Sequence, residues 1–321
     1  MHFHQSIAGS KVLLVALVLS FCAISTTKSE DIINVDTSGV APQYRFAFDQ
    51  AEAFWDKHLI GYSRLLPRFV RRQLGDVNIV ATTPFIDGAG GILGMAGPTR
   101  TVDFAGGTFD KFGTRRSISI SQEGIMNFDV ADLPGLQQSG DLVDVVMHEM
   151  AHALGFGSLW EQNDVTWADA DDVTQYRYDG YAMQQYRQES GVTSASYVPI
   201  EQDGGGGTAL SHWDDDDPFF NQTLTTGRAE LMLGALMPAE QFVSGTTFGS
   251  FADLWFVVDG INNGDLGNDV FGGGRRRPKT WGGYPDWLNL RSGGITAVPE
   301  PGSLAMLAIA AVGIGVIRRR R

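Results

Sequence analysis

Two histidines and a glutamate stand together in the segment His148-Glu149-Met150-Ala151-His152. A spacing of four residues puts two side chains on one face of a helix, one turn apart, so both imidazoles can bind the same metal ion. A protein-bound zinc ion can lower the pKa of its water to near 7, and Glu149 is placed to take that proton. The pattern predicts metal-assisted hydrolysis, with His148 and His152 as zinc ligands and Glu149 as the catalytic base.

A catalytic zinc site also needs a third protein ligand and a position for water. Apart from His148, His152 and the first few residues, the chain offers only His58 and His212, so the third ligand is one of these or a carboxylate. His58 falls on the apolar face of a predicted helix, where a packed histidine is the ordinary interpretation. None of the downstream glutamates considered as ligands begins a Glu-x-x-x-Asp pattern. His212, in a loop that could fold back over the helix, is therefore favoured.

The helix that carries the motif is the clearest element in the sequence. An apolar face repeats at helical spacing from Leu142 to Ala153. Asp141 is placed as an N-cap and Asp144 as an acidic residue in the first turn, both favourable at the positive end of a helix. Gly155 is a natural stop. We therefore predict that the two histidines lie on a single, well-defined helix.

Other patterns place further elements around this helix. Apolar spacing predicts a first helix over residues 47–59, strands at 77–82, 117–120 and 124–128, a glycine-rich loop at 87–97 and another helix near 229–236. Strands before the central helix, followed by loops and short helices, indicate the α+β class.

The first 27 residues have the pattern of a secretory signal peptide. Lys11 precedes an apolar run, Val12 to Ala23, which is too short to span a bilayer comfortably, and small residues suited to cleavage follow. Cys22 is the only cysteine and would leave with this segment, so the mature protein would have no disulfide and no thiolate ligand. Residues 28–42 are expected to be a linker that leads into a folded domain over 43–297.

A second targeting pattern occupies residues 298–321. Pro299-Glu300-Pro301 opens an uncharged stretch that ends at Ile317, and four arginines follow. As a helix the stretch would measure about 25 Å, which is marginal for a bilayer. The order resembles the PEP-CTERM sorting signal of exported bacterial proteins, which an exosortase-type enzyme is thought to cut. The resemblance implies export, a transient transmembrane helix and an exosortase-type partner, with the protein at the cell surface or released.

Charge limits the partners of the mature chain. Without the two terminal segments, which hold five basic residues and one acidic residue, the chain keeps 19 basic against 36 acidic residues. Such a surface repels nucleic acid and anionic lipid, so no nucleic acid is expected and the membrane is contacted only through the ends. Acidic stretches at 169–172, 214–217 and 259–269 could bind calcium, although none has EF-hand spacing.

The motif segment also resembles a known family. His148 to Gly155, continued by Phe156-Gly157-Ser158-Leu159-Trp160, is similar to the active-site stretch of leishmanolysin-like metzincins, especially bacterial ones. Most metzincins have their third histidine where this chain has Ser158, but leishmanolysin-like members carry a long insertion before it. His212 lies 60 residues after His152, as that pattern expects. The resemblance covers roughly residues 43–262 and includes Glu230-Leu231-Met232, which is similar to the Met-turn segment.

The resemblance implies a metzincin-like zincin with a mixed sheet, an N-terminal subdomain to about residue 155 and a loop-rich C-terminal subdomain. It implies that His148, His152 and His212 bind zinc, that Glu149 is the base and that Met232 lies beneath the metal. The interval between His212 and Met232 is longer than usual, and the cysteine devices of eukaryotic members are missing.

Two functions follow as alternatives. The first is a zinc-dependent endopeptidase that acts on extracellular protein or peptide, with the substrate paired to an exposed strand edge within 117–128. The second is a catalytically retired peptidase fold that serves as a cell-surface or biofilm-matrix binding protein. The intact Glu149 favours the enzyme, because loss of that base is the simplest way to retire such a site.

Overall fold

The computed structural model describes residues 31–205 and 207–261. Its helices are α1 (Arg45–His58), α2 (Arg68–Arg71), α3 (Leu133–Ser139), α4 (Leu142–Leu154), α5 (Tyr181–Ser190) and α6 (Gly245–Asp253). Its strands are β1 (Ile33–Gly39), β2 (Leu59–Tyr62), β3 (Val77–Thr82), β4 (Gly94–Phe109), β5 (Arg115–Phe128), β6 (Thr166–Ala168), β7 (Thr174–Tyr176), β8 (Asn221–Gln222), β9 (Arg228–Glu230), β10 (Glu240–Phe242) and β11 (Phe256–Val258).

The largest sheet has four strands in the order β1-β3-β5-β4. β1, β3 and β5 run parallel, whereas β4 pairs antiparallel with β5 in a long hairpin. Helices α1 and α4 pack on each other, and α4 contacts both β4 and β5. Trp55 ties the two helices together, because its indole N–H donates to the carbonyl of Met147 at 3.1 Å. This arrangement confirms the predicted α+β class with a mixed sheet.

Helix α4 lies at the centre of the domain, and all 13 of its residues are buried. One continuous hydrophobic core surrounds it and extends along the chain from Ile32 to Val258. The helix ends at Gly155, whose φ of 117° is in the left-handed region that favours glycine. The amide of Phe156 then bonds back to the carbonyl of Ala151 at 3.0 Å. The predicted helix and its glycine stop are confirmed, but Asp141 makes no capping hydrogen bond.

The predicted linker over residues 28–42 is wrong for its described part. Residues 33–39 form β1, which pairs in parallel with β3. The start of the strand is held by Asp56 of α1, whose carboxylate accepts the amides of Ile32 and Ile33 at 2.8 and 3.0 Å. β3 and Asp56 lie about 20 to 45 residues from β1 in the sequence. The short stretch that was predicted to be a linker therefore forms a strand through contacts with distant segments.

The predicted helix near 229–236 is also wrong. Residues 228–230 form β9, which pairs with β8 and β10, and turns follow. Ala229, Leu231, Met232 and Leu233 are all buried, so their apolar spacing reflects burial on every side rather than one helical face.

The remaining predictions are mixed. α1 and β3 are confirmed, and the two strands predicted within 117–128 are one strand, β5. β5 lies between β3 and β4, so it is not the exposed edge that was predicted for substrate, whereas β4 is at the end of the sheet. β4 and α5 were not predicted, and the glycine-rich loop predicted at 87–97 ends earlier, because residues 94–97 belong to β4.

The terminal segments lie outside the described residues, including the signal peptide at 1–27, the sorting segment at 298–321 and the transmembrane helix predicted there. Within 31–205 and 207–261, no helix is both long enough and apolar enough to cross a membrane.

Candidate metal centre and active site

Helix α4 supplies two histidines one turn apart. The Nε2 atoms of His148 and His152 lie 3.0 Å from each other, which is the consequence of a four-residue spacing on one helical face. Both rings are buried, at 7% and 5% exposure. The helix therefore holds the pair rigidly inside the domain.

The third histidine arrives from the loop before β8. His212 is fully buried, and its Nε2 lies 3.2 Å from that of His148 and 2.9 Å from that of His152. Backbone bonds hold the loop on two sides: the carbonyl of His212 accepts the amide of Glu201, and the amide of Trp213 donates to the carbonyl of Met232, both at 3.0 Å. The structure thus brings together the three imidazoles that the sequence singled out.

Backbone carbonyls orient all three rings. The Nδ1 atoms of His148, His152 and His212 lie 2.7, 3.0 and 2.9 Å from the carbonyl oxygens of Leu231, Phe156 and Thr208. A carbonyl oxygen only accepts, so each Nδ1 carries the proton and each Nε2 keeps a lone pair. Carbonyl partners of this kind fix the tautomer and the direction of ligating histidines. The sequence could not predict these carbonyl contacts, because a motif specifies side chains and not the positions of backbone atoms.

The geometry fits a divalent metal ion. A tetrahedral zinc with bonds of about 2.0–2.1 Å would put its nitrogen ligands about 3.3 Å apart, close to the spacing seen here. Three lone pairs that face one another at this distance repel unless a cation lies between them. Among the described residues, these three histidines form a group whose ligand atoms lie within 4.8 Å of one another. Three imidazole nitrogens are a donor set that suits a zinc ion.

His58, the other histidine considered as a third ligand, lies elsewhere. It ends α1, with its ring centroid 4.8 Å from those of both Phe54 and Phe248. Burial lowers its pKa to about 4, which keeps the ring neutral. His58 is a packed core histidine.

Glu149 lies next to the histidines and beneath the start of β4. Its side chain is fully buried. A Cβ atom placed on Gly94 would lie 2.6 Å from Glu149 Oε1 and 2.8 Å from its Cδ and Cγ. The side chain of Glu149 therefore occupies the space that any other residue at position 94 would need.

Asp129 holds the loop that leads into Gly94. Its carboxylate accepts the backbone amides of Ile86, Asp87, Gly88 and Ala131 at 2.7–3.1 Å. Burial raises the pKa of Asp129, but the four amide bonds outweigh it and the net pKa is lowered. The sequence pattern that could have identified Asp129 is an aspartate that directly follows a predicted strand in a chain with a predicted glycine-rich loop.

Met232 lies between the segments that carry the histidines. It is fully buried, and its neighbour Leu231 contributes the carbonyl that orients His148. The next residue back, Glu230, is also fully buried and accepts from the amide of Ser244 and the hydroxyl of Thr247, both at 2.8 Å. Thr247 in turn accepts from the indole of Trp213, which follows His212. No pattern in the sequence indicated this role for Glu230.

Among the described residues, one acidic cluster coincides with a stretch for which calcium was predicted, and it does not establish a calcium site. Carboxylate oxygens of Glu201, Asp214 and Asp215 come within 4.8 Å of one another, but Glu201 already accepts the amides of Asp203 and Asp215. Such bonds shape the loop before and after His212. The stretch at 169–172 forms the turn of the β6–β7 hairpin, and the stretch at 259–269 lies mostly outside the described residues.

An α+β domain in which an HExxH helix meets a distant histidine has the arrangement of a metallopeptidase. The comparisons with known proteins give the family. The leishmanolysin family model matches residues 117–261, and the PEP-CTERM protein-sorting motif matches residues 297–321. The resemblance drawn from the sequence is thus confirmed over these two ranges: residues 117–261 match the leishmanolysin family, and residues 297–321 match the sorting motif. No curated protein matches the chain.

The matched range contains His148, Glu149, His152, His212 and Met232. The leishmanolysin family is zinc-dependent, so the match over residues 117–261 supports a metallopeptidase, for which a protein or peptide substrate is implied. The sorting motif implies export with C-terminal anchoring or processing by an exosortase. The match begins at Ser117, so residues 43–116 of the wider resemblance are outside it.

Proposed function

We propose that this protein is an exported zinc endopeptidase in which His148, His152 and His212 hold the metal and Glu149 is the general base. The observation that carries the proposal is the convergence of three Nε2 atoms, 2.9–3.2 Å apart, with every Nδ1 held by a backbone carbonyl. That tautomer is the one in which an imidazole binds a metal through Nε2.

Zinc held by these residues would supply a Lewis acid that acidifies water and stabilises negative charge on the scissile carbonyl oxygen. Glu149 accepts the proton of the attacking water and then donates it to the departing amine nitrogen. Its buried position, pressed under Gly94, excludes bulk water and fixes the direction of its carboxylate. Met232 would form the apolar floor of the site.

The edge of the main sheet offers a place for the substrate backbone. β4 ends the sheet on one side and begins at Gly94, directly over Glu149. An extended peptide could add to this edge as a further strand, with main-chain hydrogen bonds that are independent of sequence. This replaces the edge within 117–128 that was expected from the sequence.

The remaining parts of the proposal concern the ends of the chain. We place a signal peptide at 1–27, the peptidase domain up to about 297, with a subdomain boundary near 155, and a sorting segment at 298–321. Because β1 pairs with β3, we extend the proposed peptidase domain to include residues 33–39, which the sequence placed in a linker.

Two variants test the site by zinc content and by hydrolysis of an unstructured protein such as casein. Glu149→Ala should keep one zinc per chain and lose about 10²- to 10⁴-fold in kcat/KM, because only the general base is removed. His212→Ala should lose stoichiometric zinc together with activity. The matched control is His58→Gln, a buried histidine outside the site, which should retain zinc.

Full activity in Glu149→Ala, or stoichiometric zinc in His212→Ala, would contradict the proposal. A wild-type protein that binds zinc but cleaves no substrate would instead favour the retired, binding function.

A further inference from the structure

A pocket opens beside His148 on the side of α4 that faces the segment after β9. Aliphatic side chains form most of its wall: Leu93 before β4, Val145 on α4, and Leu231 and Leu236 after β9. Its empty volume, with the open mouth included, is about 350 Å³. A pocket in contact with a proposed metal ligand is placed to receive a substrate side chain next to the scissile bond.

A carboxyl group also lines this pocket. Asp144 lies one turn before His148 on the same face of α4 and is 6% exposed. No hydrogen bond or ion pair from another described residue reaches it. Burial, together with the nearby carboxylate of Asp141, raises the pKa of Asp144 to about 7. The sequence explained Asp144 only as an acid in the first turn of a helix.

Besides Asp144 and His148, the wall contains one more polar side chain, Gln241, which also offers an acceptor. Gln241 uses its amide N–H groups to bond the carbonyls of Met237 and Ala239, both at 3.0 Å, which leaves its Oε1 to accept. No lysine or arginine lines the pocket among the described residues. The pocket therefore combines aliphatic walls with acceptors that receive no hydrogen bond from a donor within residues 31–205 and 207–261.

We propose that this pocket binds a lysine or arginine side chain of the substrate, and that Asp144 is the residue that determines this specificity. The inference rests on the proposed peptidase function and adds the class of substrate to it. Long basic side chains pack their methylene stems on apolar walls and direct the charged group to an acceptor. A buried carboxyl without a partner is costly, and a cationic side chain removes that cost, whereas an aliphatic one leaves it in place.

The test uses the zinc-loaded, full-length protein and quenched peptides that differ at a single position flanking the scissile bond. That position carries lysine, Nε-acetyl-lysine or leucine, so the first two differ mainly in charge. At one flanking position, lysine should exceed both neutral residues at least about tenfold in kcat/KM. Equal cleavage of the three peptides at every position would overturn the inference.

Variants assign the preference to Asp144. In Asp144→Asn and Asp144→Leu the advantage of lysine should disappear, and leucine should become the better residue in Asp144→Leu. The control is Asp141→Asn, a buried carboxyl three residues earlier that does not line the pocket, which should keep the preference for lysine. A lysine preference that survives in folded, zinc-loaded Asp144→Asn would also overturn the inference.

The two levels of proposal fail differently. If the wild-type protein cleaves none of the peptides and no casein, the peptidase function itself is wrong. If it cleaves them without regard to charge, only the specificity is wrong. Should the Asp144 variants fail to fold, the comparison of lysine with acetyl-lysine in the wild-type protein still decides whether a cation is selected.

Discussion

At the scale of single residues, the site depends on buried groups whose role no motif indicates. Glu230 is one of them. It accepts from Ser244 and Thr247, and it connects the segment of Met232 to Trp213 through Thr247. Burial raises the pKa of Glu230 to about 7, although its hydrogen bonds lower it, and Glu189 adds a smaller rise.

This pKa predicts a dependence of stability on pH. Because the folded state holds the proton more tightly than the unfolded chain, the stability from Glu230 is complete below about pH 4.5 and is lost as pH rises towards 7. From pH 5 to 8, wild-type protein should therefore lose up to about 3 kcal/mol of unfolding free energy relative to Glu230→Gln. Urea unfolding of both proteins across this range measures the difference. Parallel profiles would contradict the raised pKa.

Gly94 tests how tightly Glu149 is held. The Cβ of Gly94→Ala would overlap the carboxyl end of Glu149, and the side chain would have to shift to admit it. We expect kcat/KM to fall about 10- to 100-fold while zinc content stays at one per chain, because the base is displaced and the ligands are not. The control is Gly135→Ala in α3, where an added Cβ meets nothing within 4 Å. An unchanged rate in Gly94→Ala would show that Glu149 is not confined in this way.

At the scale of elements, the question is how a loop delivers His212 to a helix. Gly157, just past the end of α4, has φ of 68° and lies against the backbone of Ser211. The chain leaving α4 and the chain entering His212 thus touch at a glycine. The aromatic rings of Phe156, Trp160, Trp213 and Phe220 pack behind this contact, with centroids 4.8–5.2 Å apart in successive pairs.

Replacing that glycine should loosen the third ligand. In Gly157→Ala the Cβ would overlap the carbonyl oxygen of Ser211 and would lie 2.8 Å from its carbonyl carbon. We expect a loss of about 2 kcal/mol or more in unfolding free energy and weaker zinc binding. Gly191→Ala, which has a φ of 77° but no atom within 4 Å, separates strain from overlap and should cost only about 1 kcal/mol. Equal costs in the two variants would argue against the contact.

At the scale of the whole molecule, the metal would join segments that are far apart in sequence. Two ligands come from α4, and the third lies 60 residues after His152, beyond α5. The described domain has no disulfide to make such a connection, since the chain's only cysteine is Cys22. A zinc ion held by all three histidines would therefore stabilise the folded state directly.

Chelation should show this contribution. Removing zinc should abolish hydrolysis and lower Tm, and zinc, but not calcium, should restore both. His212→Ala should have a Tm that chelator hardly changes, because its site is already incomplete. Differential scanning calorimetry of both proteins with chelator, zinc or calcium measures this. An identical Tm for the zinc-loaded and chelated wild-type protein would exclude a structural role for the metal.

The sequence determined those features that depend on short-range periodicity. The geometry of one helix accounts for the spacing of His148 and His152 and for the position of the base, Glu149, between them. It also accounts for the apolar face of α4 and for the end of the helix at Gly155. The end segments and the family resemblance are equally local patterns. His212 could be singled out because the chain has few histidines and because the family places its third one after an insertion.

Only the tertiary structure decided the rest, because those features depend on pairing between distant segments. A stretch taken for a linker became β1 through β3 and Asp56, and a segment with helical spacing became β9 because it is buried on every side. The carbonyls that orient the histidines, the confinement of Glu149 under Gly94 and the exposure of Asp144 to a pocket are likewise contacts across the fold. Periodicity along a chain reports which residues are buried, but it does not report what they are buried against.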